Sequence, residues 1–457
     1  MSGRPEIVEQ ALALSKADDC IVIASDTSTA NARWANSTAT TNGVTTSNHL
    51  QVVSVVGRRV GSVGVTNPTP DTLESVVRRS EAACEGRPEA EDAMPLLPGG
   101  GPAAGWDDGV DAPGVAVFAG LAPSLGDIFG RSRSDGIALF GYAEHTSTTT
   151  WLGTSTGVRL RDERRQGRLE LNAKTPDFAR SAWVGSAPAS FGEVDVASLY
   201  DHLRGRLDWA ATPVDMPAGH YDVVLEPSAA ADMLYFLYMS AGRREADEGR
   251  SVFSRPGGGS RIGEQLFPAG VQLYSDPAEP GLEVTPFVVT AASSSYASLF
   301  DNGLPLGRTD WVRDGVLANL ISTRHWAARS GDEATPYVDN LVLDSPGTAG
   351  VDGLVAATTG RALLVTCFWY IREVDPQTLL LTGLTRDGVY LVEDGEVRGA
   401  VNNFRFNMSP VDMLAQTVEM GATGLTLPRE FGDYFQTARV PALRVERFNM
   451  SSVSAAT

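Results

Sequence analysis

Residues 223–254 read VVLEPSAAADMLYFLYMSAGRREADEGRSVFS. Val223, Val224 and Leu225 close the run HYDVVLEP, which has the branched, apolar look of a strand. In the stretch 231–240, ADMLYFLYMS, the residues Met233, Leu234, Phe236, Leu237 and Tyr238 are bulky, and Asp232 is the only charge. A segment that is apolar on nearly every side predicts a helix buried in a core. A strand feeding a buried helix, inside a half of the chain otherwise read as short strands and turns, predicts an α+β fold.

Outward from this stretch the chain divides by composition. Residues 1–93 read as an N-terminal α+β unit. It has a helix over PEIVEQALALSKADD, hairpin strands punctuated by Asn42-Gly43 and Gly57-Arg58-Arg59, and a second helix after the cap Thr69-Pro70-Asp71. Residues 94–112, rich in Pro, Gly and acid, read as a linker. Residues 113–213 read as a middle α+β unit with long extended runs, and 214–457 as a β-rich C-terminal domain. There Asp394-Gly395, between GVYLVE and EVRG, predicts a tight hairpin.

With 457 residues and 42% hydrophobic composition, the chain can bury a core in each of several units. A formal charge of −19 opposes attraction to a phosphate backbone, so nucleic acid is not an expected partner. No run of 18 apolar residues and no basic start followed by an apolar run is present. The expectation is a cytoplasmic protein without a membrane span or signal peptide. Cys20, Cys84 and Cys367 are too sparse for a disulfide framework and are expected as reduced, buried thiols.

Each candidate motif for chemistry has a plainer reading. Gly153-Thr154-Ser155-Thr156-Gly157 fits G-x-S-x-G, but β-like residues flank it on both sides where a nucleophile serine needs a strand-to-helix turn. The loop Arg255 to Gly263 is glycine-rich without the Lys-Ser/Thr end of a phosphate loop. The five histidines, His49, His145, His202, His220 and His325, never fall three to five residues apart, the spacing a helix needs to aim two imidazoles at one ion. His325, beside Arg324 and Trp326 at the end of a helix-like run, is the most plausible lone titratable group near a cleft.

Five stretches in order resemble the TldD/PmbA family, whose PmbA branch is also called TldE. They are WANSTATTNGVTTSNHLQVVSVVGRRVGSVGVTN, the opening VVLEPSAAADMLYFLYMSAGRREADEGRSVFS, SRIGEQLFPAGVQLYSDPAEPG, RDGVLANLISTRHWAARSG and TGLTRDGVYLVEDGEVRGAVNNFRFNMSPVDML. In that family the TldD branch resembles a zinc peptidase, with an H-E-x-x-x-H helix ahead of a GxSVFS-like segment and a later Cys as third ligand. Counted from Val223-Val224-Leu225, that motif falls on Tyr235, Phe236, Leu237, Tyr238, Met239 and Ser240, and no Cys follows Arg398.

The departure resembles the PmbA/TldE branch, which lacks the zinc motif and pairs with a TldD chain. The resemblance implies no catalytic residue, metal ligand or cofactor in this chain, with zinc expected only in a TldD-like metallopeptidase partner. It further implies a heterodimer acting on unfolded peptides or peptide-like natural-product precursors; a homodimer is also open to a chain whose relatives share one fold. The alternative is an independent metal-free hydrolase or amide-cleaving enzyme of secondary metabolism, working through His325 or Ser155. A peptide substrate is expected to lie extended along a sheet edge. The expected cleft wall is Trp369, Tyr370, Arg372, Arg386 and Asp387, with His325 as a further substrate contact.

Overall fold

The structure, a computed structural model, describes residues 3–435 and 437–454. Its architecture is α+β, as the sequence predicts. Two long strands, Asp19–Ala35 and Thr38–Val56, form a hairpin whose turn is Asn36-Ser37, both with positive φ (48° and 55°). That pair of left-handed residues is what a two-residue turn requires. Asn42-Gly43, the expected turn, instead runs inside the second strand, opposite Ala32 and Asn31. The same dipeptide chemistry is satisfied at Asn36, six residues earlier.

The segments on either side of the Pro- and Gly-rich stretch share one sheet. Strand Asp19–Ala35 pairs antiparallel with Ala138–Thr154, from Ile21 opposite Thr154 to Trp34 opposite Gly141. Strands Arg59–Thr66, Val158–Lys174 and Ser181–Ser186, with the short Gly101–Pro102, complete seven strands. A composition shift marks a loop, but it carries no information on which strands pair across it.

Period-two alternation gives this sheet two apolar faces. Val22, Ala24, Leu50 and Val52 pack with Ile7, Val8, Leu73 and Val76 of helices Arg4–Leu14 and Pro70–Ala82. Their neighbours Ile21, Val53 and Val55 pack instead with Phe287, Leu299 and Phe300 from the second half of the chain. Toward the far end of the long strands, Ala30, Leu139 and Leu171 meet helices Leu121–Ser134 and Val196–Trp209 through Ile128 and Tyr200.

Among the described residues, the second half holds three sheets of seven, six and four strands around one large core. Its centre is the helix Pro227–Met239, which starts with Pro at the first helical position, where the missing N–H costs nothing. The preceding strand, Gly219–Leu225, sits inside the seven-stranded sheet between Leu443–Met450 and Arg361–Val365. Met233, Leu234, Leu237 and Tyr238 of the helix are buried, and the Tyr238 hydroxyl donates to the Val338 carbonyl (2.8 Å). Asp394-Gly395 makes the expected hairpin, with φ of 49° and 81°.

Candidate functional site: a half-open aromatic face beside a sheet edge

The helix 227–239 is not buried all round. Tyr235, Phe236, Met239 and Ser240 are only partly covered, in contrast to their neighbours Leu237 and Tyr238. These are the positions onto which the zinc motif was aligned, so the expectation of solid core there is corrected to a half-open face. Phe431 covers part of it, stacked on Tyr235 (centroids 4.4 Å, 12° between planes) and edge-on to Phe236 (5.0 Å). Tyr434, beyond it, is 76% exposed.

Asp232, one turn earlier, explains how the loop bearing Phe431 is held. Its buried carboxyl group accepts from the backbone N–H groups of Glu430 (3.1 Å) and Phe431 (3.3 Å). Burial raises its pKa well above the carboxylate range, with those two N–H groups opposing. The single charge read in ADMLYFLYMS is therefore a clamp between two segments 198 residues apart.

Across the loop lies strand Phe368–Asp375, at the edge of the four-stranded sheet and paired on one side only, with Leu380–Thr385. Its register is broken twice, between Trp369 and Arg372 and between Glu373 and Asp375. Tyr370, with φ of 53°, turns outward and is 57% exposed. Arg372 stands over the Tyr370 ring (5.9 Å) and reaches the Glu430 carboxylate (3.6 Å). Tyr296 approaches from another segment: burial, with Glu245, Glu373 and Tyr235 nearby, pushes its phenol upward.

Five of the six residues expected from sequence come together here, in two environments. Tyr370 and Arg372 are exposed at the edge. Trp369, Arg386 and Asp387 belong to a packed cluster behind it. Arg429 pairs with Asp387 (2.6 Å, side chains 9% and 10% exposed) and lies between the rings of Trp183 (5.0 Å) and Trp369 (5.2 Å). Ser181 donates its hydroxyl to Asp387, and Arg386 covers the Trp369 ring at 5.4 Å. Burial alone would raise the Asp387 carboxyl; Arg429 beside it overrides that and holds it low.

His325 is apart. It opens helix Arg324–Ser330 and does not end one, because the preceding run folds as loop and short strands. Among the described residues it shares no hydrogen bond, ion pair or ring contact with the other five. Ser155 sits in the turn between two strands, where it donates to Asp19 (2.9 Å) and accepts from the Cys20 N–H (3.1 Å). The strand-to-helix turn of a nucleophile serine is absent there. The residues that sequence reasoning missed are Arg429, Glu430, Phe431 and Tyr434; nothing in their local spacing marks them.

The donor set on the helix does not fit zinc. Zinc takes thiolate, imidazole or carboxylate ligands, and Tyr235, Phe236 and Ser240 offer none. Among the described residues, no group of three or more His, Cys, Asp or Glu is placed to hold a metal ion.

A family profile described as PmbA/TldA metallopeptidase C-terminal domain matches residues 218–452. The fold is similar to that of TldE from Thermococcus kodakarensis, at TM-score 0.79 and 14% identity over 98% of this chain and 99% of that one. Similar too are two structures described as proposed modulators of DNA gyrase. One, from Bacteroides thetaiotaomicron, has TM-score 0.74 and 15% identity over 98% of each chain. The other, from Thermotoga maritima, has TM-score 0.75 and 14% identity over 98% of this chain and all of that one. No curated protein matches the sequence.

Proposed function

Because the chain belongs to the PmbA/TldD family, we propose that it is the TldE-like subunit of a two-chain metallopeptidase, without a zinc centre of its own. The observation that carries this reading is the half-open face of helix 227–239, where Tyr235, Phe236 and Ser240 stand partly exposed at the positions of the zinc motif. Hydrolysis through a metal-bound water needs an ion and a base, and one such centre serves a heterodimer. On this reading a TldD-like partner brings the zinc, and this chain brings a wall of the chamber. The substrates are unfolded peptides or peptide-like natural-product precursors. No helix of the described residues is long and apolar enough to cross a membrane.

The edge strand 368–375 gives the substrate a place to lie. Its outer side has no strand partner among the described residues, so an extended peptide can add to it through main-chain hydrogen bonds that accept many sequences. Tyr370 and Arg372 then contact side chains.

The test is reconstitution. The isolated chain is expected to hold no stoichiometric zinc by elemental analysis and to leave peptides uncut, and to support cleavage when mixed with a zinc-bearing TldD-like chain. Peptidase activity of the lone chain that survives a chelator would overturn the reading. In the reconstituted pair, Tyr370→Ala with Arg372→Ala is expected to raise KM severalfold while leaving partner affinity and melting temperature unchanged. Both side chains are exposed, and surface changes usually stay within about 0.5 kcal/mol. Unchanged KM would remove the edge strand as the substrate site.

A further inference from the structure

Strand Thr38–Val56 is flanked on both sides for only part of its length. Arg59–Thr66 pairs with it from His49 to Val56, so the outer side of residues 38–47 has no strand partner among the described residues. Thr40 is bulged, because Trp34 faces Ala39 while Arg33 faces Thr41. From Thr41 to Ser47 the pairing with the inner neighbour is regular, and the stretch, TNGVTTS, carries neither charge nor proline. Natural sheets blunt their long exposed edges with such residues. This edge is left ready to pair.

Beside the edge runs a groove of about 610 Å³, between residues 38–42 and helix Leu121–Ser134. Trp34, Phe118, Leu125 and Phe129 form its nearly buried floor. Ala122 and Gly126, one helical turn apart, are small and exposed, and they keep the helix side low. Directly opposed residues of paired strands share a face. Val44, opposite Ala30, therefore lies on the side that the helix layer covers, yet Val44 is 44% exposed where Ala30 is buried. The apolar face runs past the helix and ends without cover. The charged residues lining the groove are Arg33 and Arg133, with no acid, although acids outnumber bases 56 to 37 in the chain. Arg33 leans on the Tyr142 ring (5.8 Å). Arg133 donates to the Ser37 carbonyl (2.7 Å) and has no carboxylate partner among the described residues.

We propose that this groove docks an extended segment of another protein, added as a strand along Thr41–Ser47, with apolar side chains toward helix 121–134 and a carboxylate at Arg133. An edge strand beside a helix, with an apolar trough between them, is the arrangement that strand addition uses. Main-chain hydrogen bonds give the affinity, and the trough reads alternate side chains. Pairing the edges of two copies of this chain would bring no carboxylate to Arg133, because Thr41–Ser47 contains none. The proposal does not rest on the peptidase-subunit reading.

The probe is the acetylated and amidated peptide Glu-Val-Thr-Val-Thr-Val-Glu, titrated into the isolated full chain at low salt, with the same peptide carrying Lys for both Glu as control. The acidic peptide is expected to bind about tenfold tighter than the basic one, against the pull of the chain's net charge, and Arg133→Glu to reverse the order. Amide hydrogen exchange at alternate residues of Thr41–Ser47 is expected to slow on binding, as new strand pairing requires. Gly126→Trp fills the groove. A Cβ at Gly126 meets nothing within 4 Å, and glycine is a poor helix former, so this variant is expected to melt no lower than the parent and to lose binding. It keeps the test decisive should the arginine variant fold poorly. No binding of the acidic peptide at millimolar concentration would overturn the proposal, as would tighter binding of the basic peptide or protection confined to residues outside 38–47. A parent chain that sediments as a dimer, with Gly126→Trp a monomer, would give the groove to a second copy and overturn it as well.

Discussion

Asp387→Ala is expected to lower the stability of the chain by about 3–5 kcal/mol, the cost of stranding one partner of a buried ion pair. The magnitude follows from what is left behind. Arg429 stays enclosed between Trp183 and Trp369 with its carboxylate gone, and the Cys367 thiol at 2.9 Å is a weak acceptor for a full charge. Ser181 loses its acceptor at the same time. Removing both charges with apolar residues of similar volume, as in Asp387→Leu with Arg429→Met, is expected to cost less than Asp387→Ala alone, because no uncompensated charge remains. Urea unfolding reads both variants. A midpoint for Asp387→Ala within the error of the parent would show that water reaches Arg429, and would return Asp387 to the open cleft wall.

The pair also shows where sequence reasoning stops. Asp387 and Trp369 were legible as members of one neighbourhood, Trp369 on strand Phe368–Asp375 and Asp387 in the turn that follows strand Leu380–Thr385, which pairs with it. That Asp387 is spent on Arg429 was not legible, since the partner lies 42 residues on, in a loop with no periodicity. Local signals carried through where local physics decides: Asp394-Gly395 is a hairpin because both residues tolerate positive φ. They misled where two sites competed, as when Asn42-Gly43 stayed in a strand and Asn36-Ser37 took the turn.

Long-range pairing was the larger gap. The alternation in CIVIA and LQVVSVV announced strands, but not that strand 19–35 would pair with 138–154 across a stretch read as a linker. The helix 227–239 posed a related difficulty. A bulky aromatic reads as core whether it is fully packed, as Tyr238 is, or lies on a half-open face, as Tyr235 does. Hydrophobicity reports what a side chain prefers, and only the fold decides whether a neighbour arrives to cover it. The groove beside residues 38–42 was invisible for the same reason, being made by strand, turn and helix residues from two distant parts of the chain.

Asp301 supplies the second large effect, through pH. Burial pushes its carboxyl up to about 6 against the Arg324 N–H, which pulls the other way. In the unfolded chain the group titrates near 3.9. Between those values the folded protein holds a proton that the unfolded chain has released, so stability falls as pH rises through the window. The contribution is complete below about pH 4 and gone above about pH 6, and a shift of this size corresponds to roughly 3 kcal/mol. Asp301→Asn keeps an acceptor for the Arg324 N–H and removes the titration. The stability difference between Asn and Asp proteins is therefore expected to grow in favour of Asn from pH 4 to pH 6.5 and to be flat on either side. Urea midpoints across that range measure it. A difference independent of pH would mean that Asp301 is already charged in the folded protein, held by the Arg324 guanidinium 3.9 Å from Oδ1.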